Sequence, residues 1–132
     1  MPATKIIIEG NPVPQPRARV TRWSTYDPAH EAKTYIRWIL REQWEGKDVI
    51  ASPVEVFFKF FMPIPKSTSK KNRALMISGE IIHQKKPDRN NMEKLYEDCM
   101  SGIVFADDRQ SWNGGSRKMY SEHPRTEITL KY

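Results

Sequence analysis

The stretch Asn91-Met-Glu-Lys-Leu-Tyr-Glu-Asp-Cys-Met-Ser-Gly-Ile103 has the most regular pattern in this chain of 132 residues. Its apolar side chains recur at intervals of three and four residues, which is the spacing of one face of an α-helix. They are Met92, Leu95, Tyr96, Cys99, Met100 and Ile103. The pattern predicts an amphipathic helix that begins near Asp88 and has Gly102 as its C-terminal cap.

The residues around this helix predict a second helix and several strands. Apolar positions at helical spacing run from Ala32 to Gln43 and stop at Gly46, with Asp27-Pro28 as the expected start of the helix. Strands are predicted at residues 5–9, 54–61, 80–83 and 125–132. Because strands and helices mix without a regular βαβ rhythm, we expect an α+β fold. It would be one domain over residues 1–132, a small mixed β-sheet packed against two main helices.

Basic residues form the strongest charge signal in the chain. The net charge is +6, and residues 59–94 hold nine Lys or Arg against three acids. Residues 11–22 add Arg17, Arg19 and Arg22 on a proline-rich stretch that predicts a stiff basic loop. Residues 66–73 predict a second polar, basic and mobile loop. A solvated surface is the ordinary explanation for any one lysine, but clustered cations favour a polyanion such as nucleic acid.

Composition excludes other classes of protein. No apolar run reaches about 18 residues, so no membrane span is expected. The single cysteine, Cys99, excludes an internal disulfide framework and a multi-cysteine zinc site. The three histidines are scattered at no ligand spacing, and no Ser, Cys or His constellation predicts a covalent nucleophile. The pattern is that of a cytoplasmic protein.

Two acidic positions flank the predicted helix. Asp88 comes just before it, and Asp107-Asp108 follow it. If the flanking loops converge, these carboxylates suit a hard cation such as Mg²⁺ or Mn²⁺, which activates water for phosphodiester hydrolysis. The alternative is structural, because Asp88 also suits a helix N-terminus and Asp107-Asp108 also suits a solvated turn. On pattern alone the structural interpretation is the stronger.

Residues 86–94, Lys-Pro-Asp-Arg-Asn-Asn-Met-Glu-Lys, followed by Asp98, Gly102 and Asp107-Asp-Arg-Gln110, resemble the signature of RusA-type Holliday-junction resolvases. That signature is K-P-D-x-D-N-x-x-K, a helix containing an Asp, and then D-D-x-Q. The segment Pro12-Val-Pro-Gln-Pro-Arg-Ala-Arg-Val-Thr21 is similar to the proline–arginine stretch of phage-type members. The resemblance covers nearly the whole chain. It implies a phage or prophage enzyme of the host cytoplasm.

The resemblance implies a homodimer that cuts four-way DNA junctions by paired nicks with Mg²⁺, for which Mn²⁺ could substitute. Asp88, Asn90 and Asp108 would be catalytic metal ligands with Asp107 beside them, and Lys94 would be the active-site lysine. The residues implied to contact backbone phosphates are Arg17, Arg19, Arg22, Lys85 and Lys86.

Asn90 departs from the family pattern, which has a second Asp at this position. An amide oxygen still ligates a divalent ion, but it carries no charge, so metal affinity is expected to fall. Two rival functions therefore stay open. One is a non-catalytic protein that binds branched DNA, and the other is a nuclease of broader specificity that acts on flaps or nicked duplexes.

Overall fold

A computed structural model describes residues 3–15 and 29–132, together with the backbone of residues 19–20 and 25–26. Its strands are β1 (Ala3–Glu9), β2 (Arg19–Val20), β3 (Thr25–Tyr26), β4 (Val54–Pro63), β5 (Ser111–Ser121) and β6 (Arg125–Lys131). Its helices are α1 (His30–Gln43), α2 (Lys70–Ser78) and α3 (Arg89–Met100), and a 3₁₀ turn spans Asp108–Gln110. None of the described helices is long and apolar enough to cross a membrane.

The main sheet has the strand order β1-β6-β4-β5. β6 pairs antiparallel with both β1 and β4, whereas β5 pairs parallel with β4, so the sheet is mixed. β4 is a central strand, and its alternate residues Val54, Val56, Phe58, Phe60 and Met62 are buried. This alternation follows from the period of two of a strand, which directs every second side chain into the core. The prediction of an α+β fold with a small mixed sheet is confirmed.

Helices α1 and α3 pack beside each other over the buried face of the sheet. The predicted apolar stripe of α3 is confirmed, because Met92, Leu95, Tyr96 and Cys99 are all buried. Tyr96 stands at the centre of the contact, and its ring lies 5.9 Å from the ring of Phe60. Its hydroxyl accepts a hydrogen bond from the backbone N–H of Val13 and another from the hydroxyl of Thr126. This core fixes α3 against the sheet.

The opposite face of β4 carries half-buried aromatic rings covered by cations. The guanidinium of Arg125 lies 3.7 Å from the centre of the Phe61 ring, and the ammonium of Lys131 lies 4.9 Å from that of Phe57. A side chain at Gly114 of β5 has no room here, because its Cβ would lie 2.6 Å from Phe57. The glycine is therefore required by the close approach of β5 to β4.

Several predicted elements were wrong. Residues 66–73 were predicted as an exposed loop, but α2 begins at Lys70 because the side chain of Ser69 caps it. Residues 80–83 form no strand in the structure. Arg19–Val20 pairs with Thr25–Tyr26 in a short ladder, so the basic loop is interrupted. The start of α1 is at His30, so Asp27 is not its cap, and residues 27–28 lie outside the described part of the chain.

Candidate active site

Asp88 is the N-cap of α3. Its Oδ1 accepts a hydrogen bond from the backbone N–H of Asn90 at 2.9 Å, which is the contact that a capping carboxylate makes. Asp88 therefore has the structural role that the alternative interpretation assigned to it, at the N-terminus of the helix. The side chain stays exposed, so this cap leaves the carboxylate accessible from solvent.

Strand β5 holds the loop that leads into Asp88. The ammonium of Lys118 donates to the backbone carbonyls of Lys85 and Pro87 at 2.6 and 2.8 Å. Directly after Asp88, the guanidinium of Arg89 donates to the backbone carbonyl of Ser116 at 2.8 Å. These contacts attach the start of α3 to the sheet, so the Asp88 carboxylate has a fixed position.

The second acidic pair lies in a turn that is closed by its own side chains. Asp107 caps the 3₁₀ turn, and its carboxylate accepts hydrogen bonds from the backbone and the guanidinium of Arg109. Those bonds hold the pKa of Asp107 at about 2. The side chain of Gln110 bonds the backbone N–H of Asp107 and the carbonyls of Ile50 and Ser52. The D-D-x-Q pattern thus fixes the turn against the chain that enters β4.

Between α3 and β5 lies a cleft of about 350 Å³, which we call the α3–β5 cleft. Asn90, Lys94 and Asp108 line it together. The structure thus brings together residues that are 18 positions apart in sequence, from Asn90 to Asp108. The other lining residues are Glu93, Glu97, Ser111 and Asn113.

Carboxylates repel one another in this cleft. Burial, followed by the charges of Glu93 and Asp108, raises the pKa of Glu97. Asp107 beside it raises the pKa of Asp108, with burial and Asp98 adding to the effect. Glu93 is buried, and its Oε2 accepts a hydrogen bond from the amide of Asn113 at 2.9 Å. Negative charge is therefore concentrated where a cation would relieve the repulsion.

We expect Glu97→Gln to stabilise the protein at pH 7. Burial of the charged Glu97 carboxylate is unfavourable, and Glu93 and Glu97 also form a like-charge i,i+4 pair, which costs about 0.2–0.5 kcal/mol, with Asp108 adding to that cost. Because the folded-state pKa of Glu97 is raised above 4.5, the cost is absent at low pH and grows as the pH rises through that value. Thermal unfolding should show a melting temperature about 1–3 °C higher for the variant at pH 7.

The matched control is Glu42→Gln, which removes an exposed acid from α1. The Glu97 variant and the wild type should converge below pH 4.5. A difference that persists unchanged at low pH would contradict the electrostatic cause and would point to a change in packing.

The donor set of the cleft suits a hard divalent cation. Carboxylate and amide oxygens are the ligands that Mg²⁺ prefers in proteins. Among the described residues, no three Asp, Glu, His or Cys side chains stand close enough together to hold an ion by themselves. Mg²⁺ does not need such a cage, because it keeps several waters and is bound through one or two carboxylates together with substrate phosphates. The residues present therefore fit this ion.

The predicted site residues fall into three groups. Asn90, Lys94 and Asp108 share the α3–β5 cleft, whereas Asp88 caps α3 beside it and Asp107 is bound to Arg109. Lys85 and Lys86 are exposed on the loop before α3. Arg17 and Arg22 lie outside the described residues, and only the backbone of Arg19 is described. The described residues just before that segment lie beside α3, because the backbone N–H of Gln15 donates to the carbonyl of Asn91 at 3.0 Å.

Sequence reasoning missed four residues of the cleft, namely Glu93, Glu97, Ser111 and Asn113. Glu93 and Glu97 lie three and seven positions after Asn90, which places them on the same face of α3, and this helical spacing was an available signal. Asn113 had no such signal, because the strand that carries it was not predicted. Its role depends on the parallel pairing of β5 with β4.

Two comparisons with known proteins bear on this site. Residues 9–131 match the family model described as endodeoxyribonuclease RusA. The chain is also 30% identical, over 139 aligned residues, to the uncharacterized protein YqaN of Bacillus subtilis (strain 168). That alignment covers 99% of this chain and 97% of the relative.

Proposed function

The chain belongs to the RusA endodeoxyribonuclease family, and from that premise we propose that it resolves four-way DNA junctions by paired, magnesium-dependent nicks as a homodimer. Membership in this family makes the protein a phosphodiester hydrolase that acts on Holliday junctions in DNA recombination. The metal, the pairing of the nicks and the dimer go beyond that membership. The observation that supports the metal is the α3–β5 cleft, where Asn90, Lys94 and Asp108 line one space.

Mg²⁺ would be held by the carboxylates of Asp108 and Asp88 and by the amide oxygen of Asn90, with Mn²⁺ as a substitute and Asp107 beside them. The chemistry that such an ion supplies is activation of a water and stabilisation of the leaving oxygen. Asp88 is held for this role by its own cap contact and by Lys118 behind its loop. Asp107 orients the turn that carries Asp108 rather than facing the cleft, because Arg109 occupies its carboxylate.

Lys94 would bind a non-bridging oxygen of the scissile phosphate. It forms no ion pair with any side chain in the described part of the chain, so its ammonium is available to an anion. It also projects from the same face of α3 as Asn90, four residues earlier. Its charge would balance the negative charge that grows on the phosphoryl oxygens in the transition state.

The substrate would be held by cations outside the cleft. Lys85 and Lys86 are exposed on the loop just before Pro87-Asp88, so a strand bound there would lie beside the start of α3. Arg17, Arg19 and Arg22 follow the segment that passes α3 at Asn91, and we assign backbone phosphates to them as well. Two copies of the chain would supply two such sites, which matches the two strands cut in a symmetric junction.

Asn90 supports a second candidate, a branched-DNA binding protein with a weakened site. Its amide brings no charge to the cleft, and the described residues contain no three-group metal cluster. A cleavage assay on a labelled four-way junction, with Mg²⁺, Mn²⁺ or EDTA and with linear duplex as competitor, separates the candidates. A nuclease cuts the junction in a metal-dependent way, whereas a pure binder holds it intact.

We expect Asn90→Asp to raise the rate of junction cleavage at limiting Mg²⁺ by about tenfold. The substitution adds one carboxylate to the α3–β5 cleft, and the charge of the ligand set tunes affinity for hard cations over decades. The half-saturating Mg²⁺ concentration should fall by a similar factor, which a titration of cleavage against Mg²⁺ measures.

Asn91→Asp is the matched control for this experiment. It makes the same change from an amide to a carboxylate one residue later in α3. Asn91 is exposed and is not among the residues that line the α3–β5 cleft. Its Mg²⁺ titration should superimpose on that of the wild type. Unchanged or lower activity of the Asn90 variant would count against a metal-binding role for this position.

A further inference from the structure

A second cleft opens on the other side of the α3 N-terminus. It has a volume of about 490 Å³ and lies between β5 and the segment that follows α2, so we call it the α2–β5 cleft. This volume falls within the range of ~300–1,000 Å³ that is usual for clefts that bind small molecules. The lining residues used below are Ile82, His83, Arg89, Arg117, Lys118 and Met119.

The charged residues that line this cleft are all basic. Arg89, Arg117 and Lys118 contribute three cations, and no acid is among the described residues that line it. Arg117 forms no ion pair with any acid in the described part of the chain, and Arg89 uses one of its five N–H donors on Ser116. The cleft therefore holds unsatisfied donors for an anion.

His83 is a buried polar group that lacks a partner in the cleft. Its side chain is 8% exposed, and its ring lies against Tyr120 with a centroid distance of 4.9 Å. Within the described ranges, its Nδ1 has no hydrogen-bond partner. Burial, together with nearby Lys118, lowers the pKa of His83, so the ring is neutral at pH 7. Because Nδ1 is closed to solvent, His83 forms part of the inner wall of the cleft through its contact with Tyr120.

The remaining wall of the cleft is apolar. Ile82 is 62% exposed, although it is a large aliphatic residue, and Met119 of β5 lines the same cleft. Cations beside an apolar wall are complementary to a nucleotide, whose phosphate is anionic and whose base is flat and weakly polar. Neither inorganic phosphate nor a plain duplex backbone would use the apolar wall.

We propose that the α2–β5 cleft binds one unstacked nucleotide of the DNA substrate, with its phosphate on Arg89 and Arg117 and its base between Ile82 and Met119. This inference rests on the proposed function, because the DNA must be bound at the α3–β5 cleft. The two clefts are close, since Arg89 of this cleft directly precedes Asn90 of the α3–β5 cleft, and Arg117 lies about 13 Å along β5 from Asn113.

The test scans 2-aminopurine, a base that brightens when it unstacks, through the strand around the cleavage site of a four-way junction. Binding is measured in EDTA, so that no cleavage is required. On the wild type, one position should brighten beyond its level in the free junction. Replacing that nucleotide by an abasic site should weaken binding by about fivefold to a hundredfold.

Two exposed residues give variants that leave the core intact. Ile82→Glu places a charge on the apolar wall, and Ile77→Glu makes the same change on α2 outside the cleft. Arg117→Gln is matched by Arg41→Gln on α1. The increase in 2-aminopurine fluorescence should disappear in the Ile82 and Arg117 variants and persist in both controls. In the Ile82 and Arg117 variants, an abasic site at that position should no longer weaken binding.

The inference is overturned if the wild type binds the junction and no position brightens, or if Ile82→Glu behaves like Ile77→Glu. In either case the proposed function stands, because cleavage with Mg²⁺ is measured separately. A protein that shows the bright position but never cuts would leave this inference intact and overturn the nuclease. A protein that binds no junction would overturn both.

Discussion

Asp108→Asn should slow cleavage of a four-way junction by about a hundredfold to a thousandfold. Asp108 lines the α3–β5 cleft with Asn90 and Lys94, and Asn90 already brings no charge there. Removing the Asp108 carboxylate would weaken binding of the proposed divalent ion. Such an ion would contribute several kcal/mol to the transition state, at about 1.4 kcal/mol for each factor of ten in rate. The measurement is a single-turnover rate with saturating protein and Mg²⁺.

The fold should survive this substitution, because the side chain of Asp108 is exposed and the turn is held by Asp107 and Gln110. Junction affinity in EDTA should stay within about threefold of wild type, since an acid is lost rather than a phosphate-binding cation. Asp48→Asn removes another exposed acid and should leave the rate unchanged. A rate for Asp108→Asn within threefold of wild type would remove this carboxylate from the proposed mechanism.

Lys94→Met should lower the rate of cleavage of the bound junction by about a hundredfold. The substitution keeps the length of the side chain but removes the ammonium that faces the cleft. Loss of one preorganised charge at the position where negative charge develops costs about two to three factors of ten in rate. Because helix α3 is held by its buried face, an exposed substitution should not change its stability by more than about 0.5 kcal/mol.

The sharper comparison is with Lys86→Met, which removes an exposed lysine outside the cleft. Lys86 is proposed to bind a backbone phosphate. Its loss should therefore weaken junction binding and reduce the slope of log affinity against log salt concentration by about one. The cleavage rate at saturating protein should change little. The two variants separate catalysis from binding. If Lys94→Met changed affinity and salt dependence but not the saturated rate, Lys94 would be one more phosphate contact.

The helix that carries the site was predictable because local and tertiary signals agree there. The apolar stripe of α3 sets its buried face, and Asp88 is both its cap and the first motif acid. Glu93 and Glu97 lie at helical spacing from Asn90, so their place on the same face of α3 was also predictable from the sequence.

Strand β5 and the position of Asp108 were not predictable, because both depend on contacts between distant segments of the chain. Strand β5 was missed because Gly114-Gly115 and its polar residues lack an apolar alternation, and only its parallel pairing with β4 makes it a strand. The position of Asp108 opposite α3 depends on Gln110, which bonds the carbonyls of Ile50 and Ser52. Spacing along the chain contains no information about a contact between residues 58 positions apart.

The most direct test of the account is cleavage of a labelled synthetic four-way junction by the unmodified protein, with Mg²⁺, with Mn²⁺ and with EDTA. Linear duplex of the same sequence is included in each reaction. We expect paired, symmetric nicks in the junction that require the metal, and we expect the duplex to stay intact. Tight binding to the junction with no nicks in either metal would contradict this expectation and would make the protein a branched-DNA binder.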